Sequence, residues 1–265
     1  MSRAIFLLSA ALAASTLACE DGGTTIAPAP PPRDAGCAVE SEIRSFDIYF
    51  VVDVSGSMSP FLESLSQSLA RFAEVFPKES ATGEQLLVSY YVVAFVNDVL
   101  AFPPGAERMS SHIGVSAALE MALERADDGT NLNFETPNSD TEENLLDALG
   151  YVIDRAPDAD SVLIITATDA DFREAPQTFS GDITVEHTYA AILAGMQTLG
   201  IRVHAYVPSQ LRGLTQPYAS LEALPAATGG RVFDLQSLDN AVDAIQTSLE
   251  GIAEDVSCNT PQRTP

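Results

Sequence analysis

The chain has 265 residues, 46% of them hydrophobic, enough for a single domain with a sizeable core. Its 37 acidic residues face 13 basic ones, a formal net charge of −24. That balance excludes a protein that neutralises a nucleic-acid backbone and disfavours electrostatic docking on an anionic membrane. A cation, or a partner bridged through a cation, suits it better.

The first 18 residues read as a targeting segment outside the fold. "MSR" is a short basic start, and "AIFLLSAALAAS" is apolar but too short to span a bilayer as a stable helix. "TLAC" follows, with Ala18 just before Cys19, and this resembles a bacterial lipoprotein signal, which implies cleavage before a lipid-carrying Cys19. Leu17 and Thr16 depart from the usual order of residues before such a cut. The implied location is the bacterial cell envelope, with the lipid as the only membrane attachment. Glu20 stands where an Asp would signal retention, which points towards the outer membrane. Residues 19–40, rich in Pro, Gly and Thr, form a tether; the domain is expected over 41–258, and 259–265 as a frayed tail. An exported chain with three cysteines leaves one unpaired. With Cys19 lipidated, Cys37 and Cys258 remain to form a bridge, closing a loop worth about 4–5 kcal/mol of chain entropy.

Within the domain, apolar runs alternate with amphipathic stretches. "FDIYFVV" (46–52) reads as a buried strand, and Ser59-Pro60 as the N-cap and first residue of a helix carrying Phe61, Leu65, Leu69, Phe72 and Phe76 on one face. Strand 86–96 and a hairpin return at 99–102 follow, then helices over 113–126 and 141–156 and the most apolar strand, 161–169. A helix ends at Gly200, and strand 201–208, a short helix in 218–230, strand 231–235 and a closing helix complete the order. Such alternation predicts a doubly wound α/β fold: a mostly parallel six-stranded sheet, helices on both faces, one antiparallel edge strand. Ligands of such sheets bind beyond the carboxyl ends of the strands, where strand order reverses.

"VVDVSGSM" (51–58) ends a buried strand in an Asp-x-Ser-x-Ser spacing, so Asp53, Ser55 and Ser57 offer three hard oxygen atoms around one point. "SVLIITATD" ends another strand in Asp169. Two carboxylates with hydroxyls and water suit Mg²⁺ (Mn²⁺ or Ca²⁺ are alternatives), leaving residual positive charge for an external carboxylate. The bland alternative is that Ser55, Ser57, Asp169 and Asp171 merely make turns or cap helices.

With these motifs the chain resembles the von Willebrand factor A family over about residues 44–254, including the ending "LPAATGGRVFDLQSLDNAVDAI". The resemblance implies a metal-ion-dependent adhesion site formed by Asp53, Ser55, Ser57, Asp169 and a middle ligand. "DDGTN" offers Thr130 for that ligand, and "DTEE" offers Glu143; both stay open. Residues 127–147 carry seven acids and no base, either a solvated loop or a second cation site. The implied function is a non-enzymatic binding module that captures an extracytoplasmic partner's Asp or Glu through the cation.

A Mg²⁺-dependent phosphatase with Asp169 as nucleophile and Asp171 as acid is an alternative, but Arg173 fills the place of a Thr or Val, and Lys78 is the sole lysine. A scaffold with an incidental metal site is another. No Gly-x-Ser-x-Gly elbow, P-loop or dinucleotide fingerprint occurs, and His112, His187 and His204 lack ligand spacing.

Overall fold

The buried run after residue 43 extends as strand β1 (Ile43–Asp53), and its alternate side chains divide between two cores. Ile48, Phe50 and Val52 face one, Tyr49 and Val51 the other. Covered on both faces, the strand has no solvent side, which is why it reads as a continuous apolar run. A computed structural model gives the architecture and describes residues 43–79, 83, 85–105, 107–126, 130–133, 137–237 and 242–259. The expectations for the signal segment, Cys19, the tether, Cys37, the Cys258 side chain and the tail lie outside the described residues.

The remaining sheet strands are β2 (Gln85–Phe95), β3 (Val99–Phe102), β4 (Ser161–Ala167), β5 (Arg202–Val207) and β6 (Val232–Asp234). They lie in the order β6-β5-β4-β1-β2-β3, parallel except for the β2–β3 hairpin. This is the expected doubly wound six-stranded sheet with one antiparallel edge strand. Helices α1 (Ser59–Val75), α2 (His112–Ala126) and α6 (Val242–Asn259) cover one face; α3 (Leu145–Arg155), α4 (Tyr189–Leu199) and α5 (Leu224–Thr228) cover the other. Gly200 closes α4 in the left-handed region at φ 63°, as its place in the sequence predicts. Among the described residues no helix is long and apolar enough to cross a membrane.

Two local expectations change. Ser59 does not cap α1: a 3₁₀ turn, Gly56–Met58, leads directly into the helix, and Ser59 is already helical with Pro60 behind it. Nor does α3 begin at 141. Residues Glu142–Glu143 instead form a two-residue parallel ladder with Asp171–Phe172, and the helix starts at Leu145. The ladder lets backbone groups beyond the tip of β4 find partners away from the main sheet.

The chain runs β1, β2, β3 to one side of the sheet and then returns to place β4 on the other side of β1. Strand order therefore reverses between β1 and β4. The carboxyl ends of these two strands flank the crevice where such folds bind ligands.

A candidate cation site at the strand tips

Register brings the two motifs together. Val52 pairs with Ala167, so Asp53 emerges beside Thr168, with Asp169 one residue further on. The Thr168 hydroxyl donates to Asp53 Oδ2 at 2.8 Å, and the Ser55 backbone N–H donates to Oδ1 at 2.8 Å. The second bond turns the chain sharply and sets the Ser55 and Ser57 hydroxyls 3.2 Å apart. Asp53 is fully buried, whereas Ser57 and Asp169 are exposed, so the cluster has a buried floor and an open mouth.

Glu143 belongs to this group. The Glu142–Glu143 ladder directs it inward, where it is 4% exposed, and its Oε2 has no hydrogen-bond partner. Burial pushes its carboxyl up to about 9, reinforced by the charges of Asp53, Asp169 and Asp140. Burial likewise pushes Asp53 up to about 6 against the Ser55 and Thr168 hydrogen bonds, with Asp169 adding repulsion. Among the described residues no lysine or arginine forms an ion pair with Asp53, Glu143 or Asp169. Further buried polar atoms without partners collect at the same sheet edge, on Asn97 and Asn144. Asn144 is held there by its N–H to the carbonyl of Val96 at 2.7 Å.

Thr130, the other candidate for the middle ligand, forms an antiparallel bridge with Pro137. The next residues are tied to Asp98, whose two oxygens accept from the N–H groups of Leu132 and Asn133 at 2.7 and 2.6 Å. Glu143 lies within reach of the charges of Asp53 and Asp169.

The acidic stretch 137–147 is more than a solvated loop. Arg173 donates to Asp140 at 2.8 Å and to Glu142 at 3.0 Å, and Arg212 reaches Glu142 at 2.6 Å and Asp171 at 3.5 Å. Asp147 accepts from the N–H groups of Glu186 and His187 and faces the His187 ring at 2.8 Å. Asp171 and Arg173 are thus engaged with Arg212 and with these acids, and Lys78 donates to the Ala73 carbonyl. His204 is buried within β5, with Nδ1 accepting from the Arg231 N–H and its pKa pulled down to about 4 by burial and by Arg202 and Arg231. Neither helix-capping role foreseen for Asp169 and Asp171 is realised, since the next helix after them begins only at Tyr189.

The available atoms are all oxygens: carboxylates of Asp53, Glu143 and Asp169 and hydroxyls of Ser55 and Ser57. Oxygen-only sets suit hard divalent cations rather than zinc or copper. Among the described residues no three His, Cys, Asp or Glu side chains are grouped to hold a metal by themselves. Hydroxyls and water would have to complete the shell. Sequence reasoning missed Thr168, whose neighbour Ala167 and place before Asp169 were the available signals, and it missed the bracing Arg212.

No sequence family matches the chain, and no curated protein matches its sequence. Solved structures do resemble its fold. Proximal thread matrix protein 1 from the mussel byssus aligns at TM-score 0.50 and 12% identity, over 81% of this chain and 47% of that one. A von Willebrand factor type A structure from Catenulispora acidiphila aligns at TM-score 0.49 and 16% identity, over 81% and 43%. The chain therefore spans less than half the length of either structure.

Proposed function

We propose that the protein is an extracytoplasmic binding module that holds a divalent cation, Mg²⁺ first, between the tips of β1 and β4 and captures a partner through that partner's Asp or Glu. One observation carries the proposal: Asp53 and Glu143 are buried within reach of each other's charge and of that of Asp169, and among the described residues no lysine or arginine pairs with them. Isolated buried carboxylates are costly and normally acquire a counter-charge. The fold supplies an opening at that point, because Ser57 and Asp169 remain exposed.

Asp53, Ser55, Ser57, Glu143 and Asp169 would hold the ion, with Thr168 orienting Asp53 by its 2.8 Å hydrogen bond. A bound cation supplies attraction for an incoming carboxylate. The chain's own part is to fix the oxygen atoms and to keep one side of the cluster open. No catalytic step is assigned. The expected setting is the bacterial cell envelope, with Cys19 lipidated and Cys37 and Cys258 bridged.

The test is calorimetric titration of the full chain with Mg²⁺ and Mn²⁺, with Asp53→Ala alongside. Uptake of one ion that disappears in the variant supports the proposal. Uptake that survives the variant, or no uptake by the wild type, overturns it. Recovery of a partner from envelope extract should then fail when the cation is chelated.

A further inference from the structure

Glu142 and Glu143 are neighbours in the chain, yet the fold gives them opposite surroundings. Successive residues of a strand point to opposite sides, and paired residues of a ladder share a side. Glu142 therefore stands beside Asp171, its ladder partner, and Glu143 beside Phe172. On the first side both Glu142 oxygens are taken: Arg173 Nε donates to Oε2 at 3.0 Å, and Arg212 Nη2 to Oε1 at 2.6 Å. On the second side Glu143 and Phe172 are buried, and among the described residues neither arginine pairs with Glu143.

The arginines tie down more than Glu142. Arg173 also donates to Asp140 at 2.8 Å and to the Thr178 carbonyl. Arg212 also donates to the Phe172 carbonyl and lies 3.5 Å from Asp171, so it grips both strands of the ladder at once. The ladder depends on such a grip. Two paired residues are too few to hold together in water, and Asp140, Glu142 and Asp171 repel one another across it. Each strand has one further anchor. The Phe172 ring packs 5.7 Å from Tyr189 of α4, and the Asn144 N–H donates to the Val96 carbonyl at 2.7 Å. The arginines are what join the two anchored strands to each other.

We infer that Arg212 is a positioning residue for cation binding: with Arg173 it occupies Glu142, holds the ladder closed and so keeps Glu143 buried at the strand tips with no arginine of its own. This role rests on the cation site proposed above, and it carries a distinctive sign. Arg212 brings a positive charge close to a place for a cation, so charge alone makes it a hindrance. Positioning makes it a requirement. Its side chain is 36% exposed, so replacing it opens no cavity in the core.

The experiment titrates the full chain calorimetrically with Mg²⁺ and compares Arg212→Met and Arg212→Lys with the wild type. Arg212→Met is expected to weaken Mg²⁺ binding about tenfold, although it removes a nearby positive charge. Arg212→Lys keeps that charge, but an ammonium lacks the guanidinium fork, and its affinity is expected to fall between the other two. In a Glu143→Gln background, Arg212→Met is expected to change the affinity less than about twofold, because the carboxylate it positions is gone. Hydrogen exchange of the metal-free chain supplies a second readout. In Arg212→Met the backbone amides of 142–143 and 171–172 are expected to exchange at least about tenfold faster, and those of β1 and β4 at the wild-type rate. Tighter or unchanged Mg²⁺ binding by Arg212→Met, an equal loss in the Glu143→Gln background, or unchanged ladder exchange would each overturn the inference and leave the cation site standing. Exchange that rises equally in β1 and β4 would make Arg212 a support of the whole fold and overturn it as well. No uptake by the wild type would overturn the site, and the inference with it.

Discussion

The β1–β4 strand pair ends differently at its two edges. At the amino edge, Asp160 accepts from the Ser45 N–H at 2.8 Å and from its hydroxyl at 2.9 Å, while the Asp160 N–H donates back to that hydroxyl at 2.9 Å. A little further along, Asp47 is buried, yet it has the Tyr91 hydroxyl and the charge of Arg108 for company. At the carboxyl edge, Asp53 and Glu143 are at least as deeply buried and have no cation, and Glu143 Oε2 has no partner at all. The same strand pair thus has one polar cluster satisfied by the chain at its amino edge and, at its carboxyl edge, buried carboxyl groups with no ion-pair partner among the described residues. Internally satisfied groups serve the fold; unsatisfied buried groups at a strand-order reversal mark a place for a ligand.

Asp53→Ala should reduce Mg²⁺ affinity at least about 100-fold, since it deletes the central carboxylate, while Asp160→Ala should leave it unchanged within about twofold. Calorimetry on both variants checks this; similar losses would erase the distinction between the edges. Glu143→Gln comes next. It should weaken Mg²⁺ binding about 10-fold or more, and it should stabilise the metal-free domain by on the order of 1–3 kcal/mol in urea unfolding at pH 8, because folding no longer has to keep a carboxyl protonated that the unfolded chain releases near 4.5. Thr130→Val should affect cation binding less than Glu143→Gln; the reverse order would make Thr130 the middle ligand.

The pH dependence sharpens the same contrast. The folded state holds the Glu143 proton up to about 9, whereas an unfolded glutamate releases it near its ordinary value of 4.5. Between those values the folded state binds the extra proton, so metal-free stability is full below the lower value and falls as pH rises towards the higher one. Measured from pH 6.5 upward, where His204 with its pKa near 4 is neutral in the folded state, the fall should be on the order of a few kcal/mol. Saturating Mg²⁺ should flatten it, contributing about 2.7 kcal/mol at 100 times its Kd. A metal-free domain whose melting temperature is constant or rising from pH 6.5 to 9 would contradict the burial of Glu143 without a counter-charge. The smallest effect belongs to the amino edge. Ser45→Ala should cost about 0.5–1.5 kcal/mol of stability in urea unfolding and nothing in cation affinity.

Much of the fold was legible because burial on both faces leaves a mark on local sequence. The runs at 46–52 and 161–167 could be nothing but covered strands, and Gly200 could close a helix in the left-handed region at no steric cost. The helix predicted from 141 was misjudged because a two-residue ladder has no periodicity to detect; only Asp171–Phe172, distant in the chain, turns Glu142–Glu143 into a strand. For the same reason nothing local connects Arg173 and Arg212 with this stretch, although both donate to Glu142.

By itself the sequence determined the alternation of strands and helices and placed Asp53, Ser55, Ser57 and Asp169 at or just beyond strand ends, since these follow from side-chain period and local turn chemistry. Tertiary structure alone decided that β4 lies beside β1, that Thr168 donates to Asp53, and that Glu143 is buried within reach of the charges of Asp53 and Asp169. Those outcomes depend on register and crossover between segments up to 115 residues apart, and no local pattern encodes such a distance.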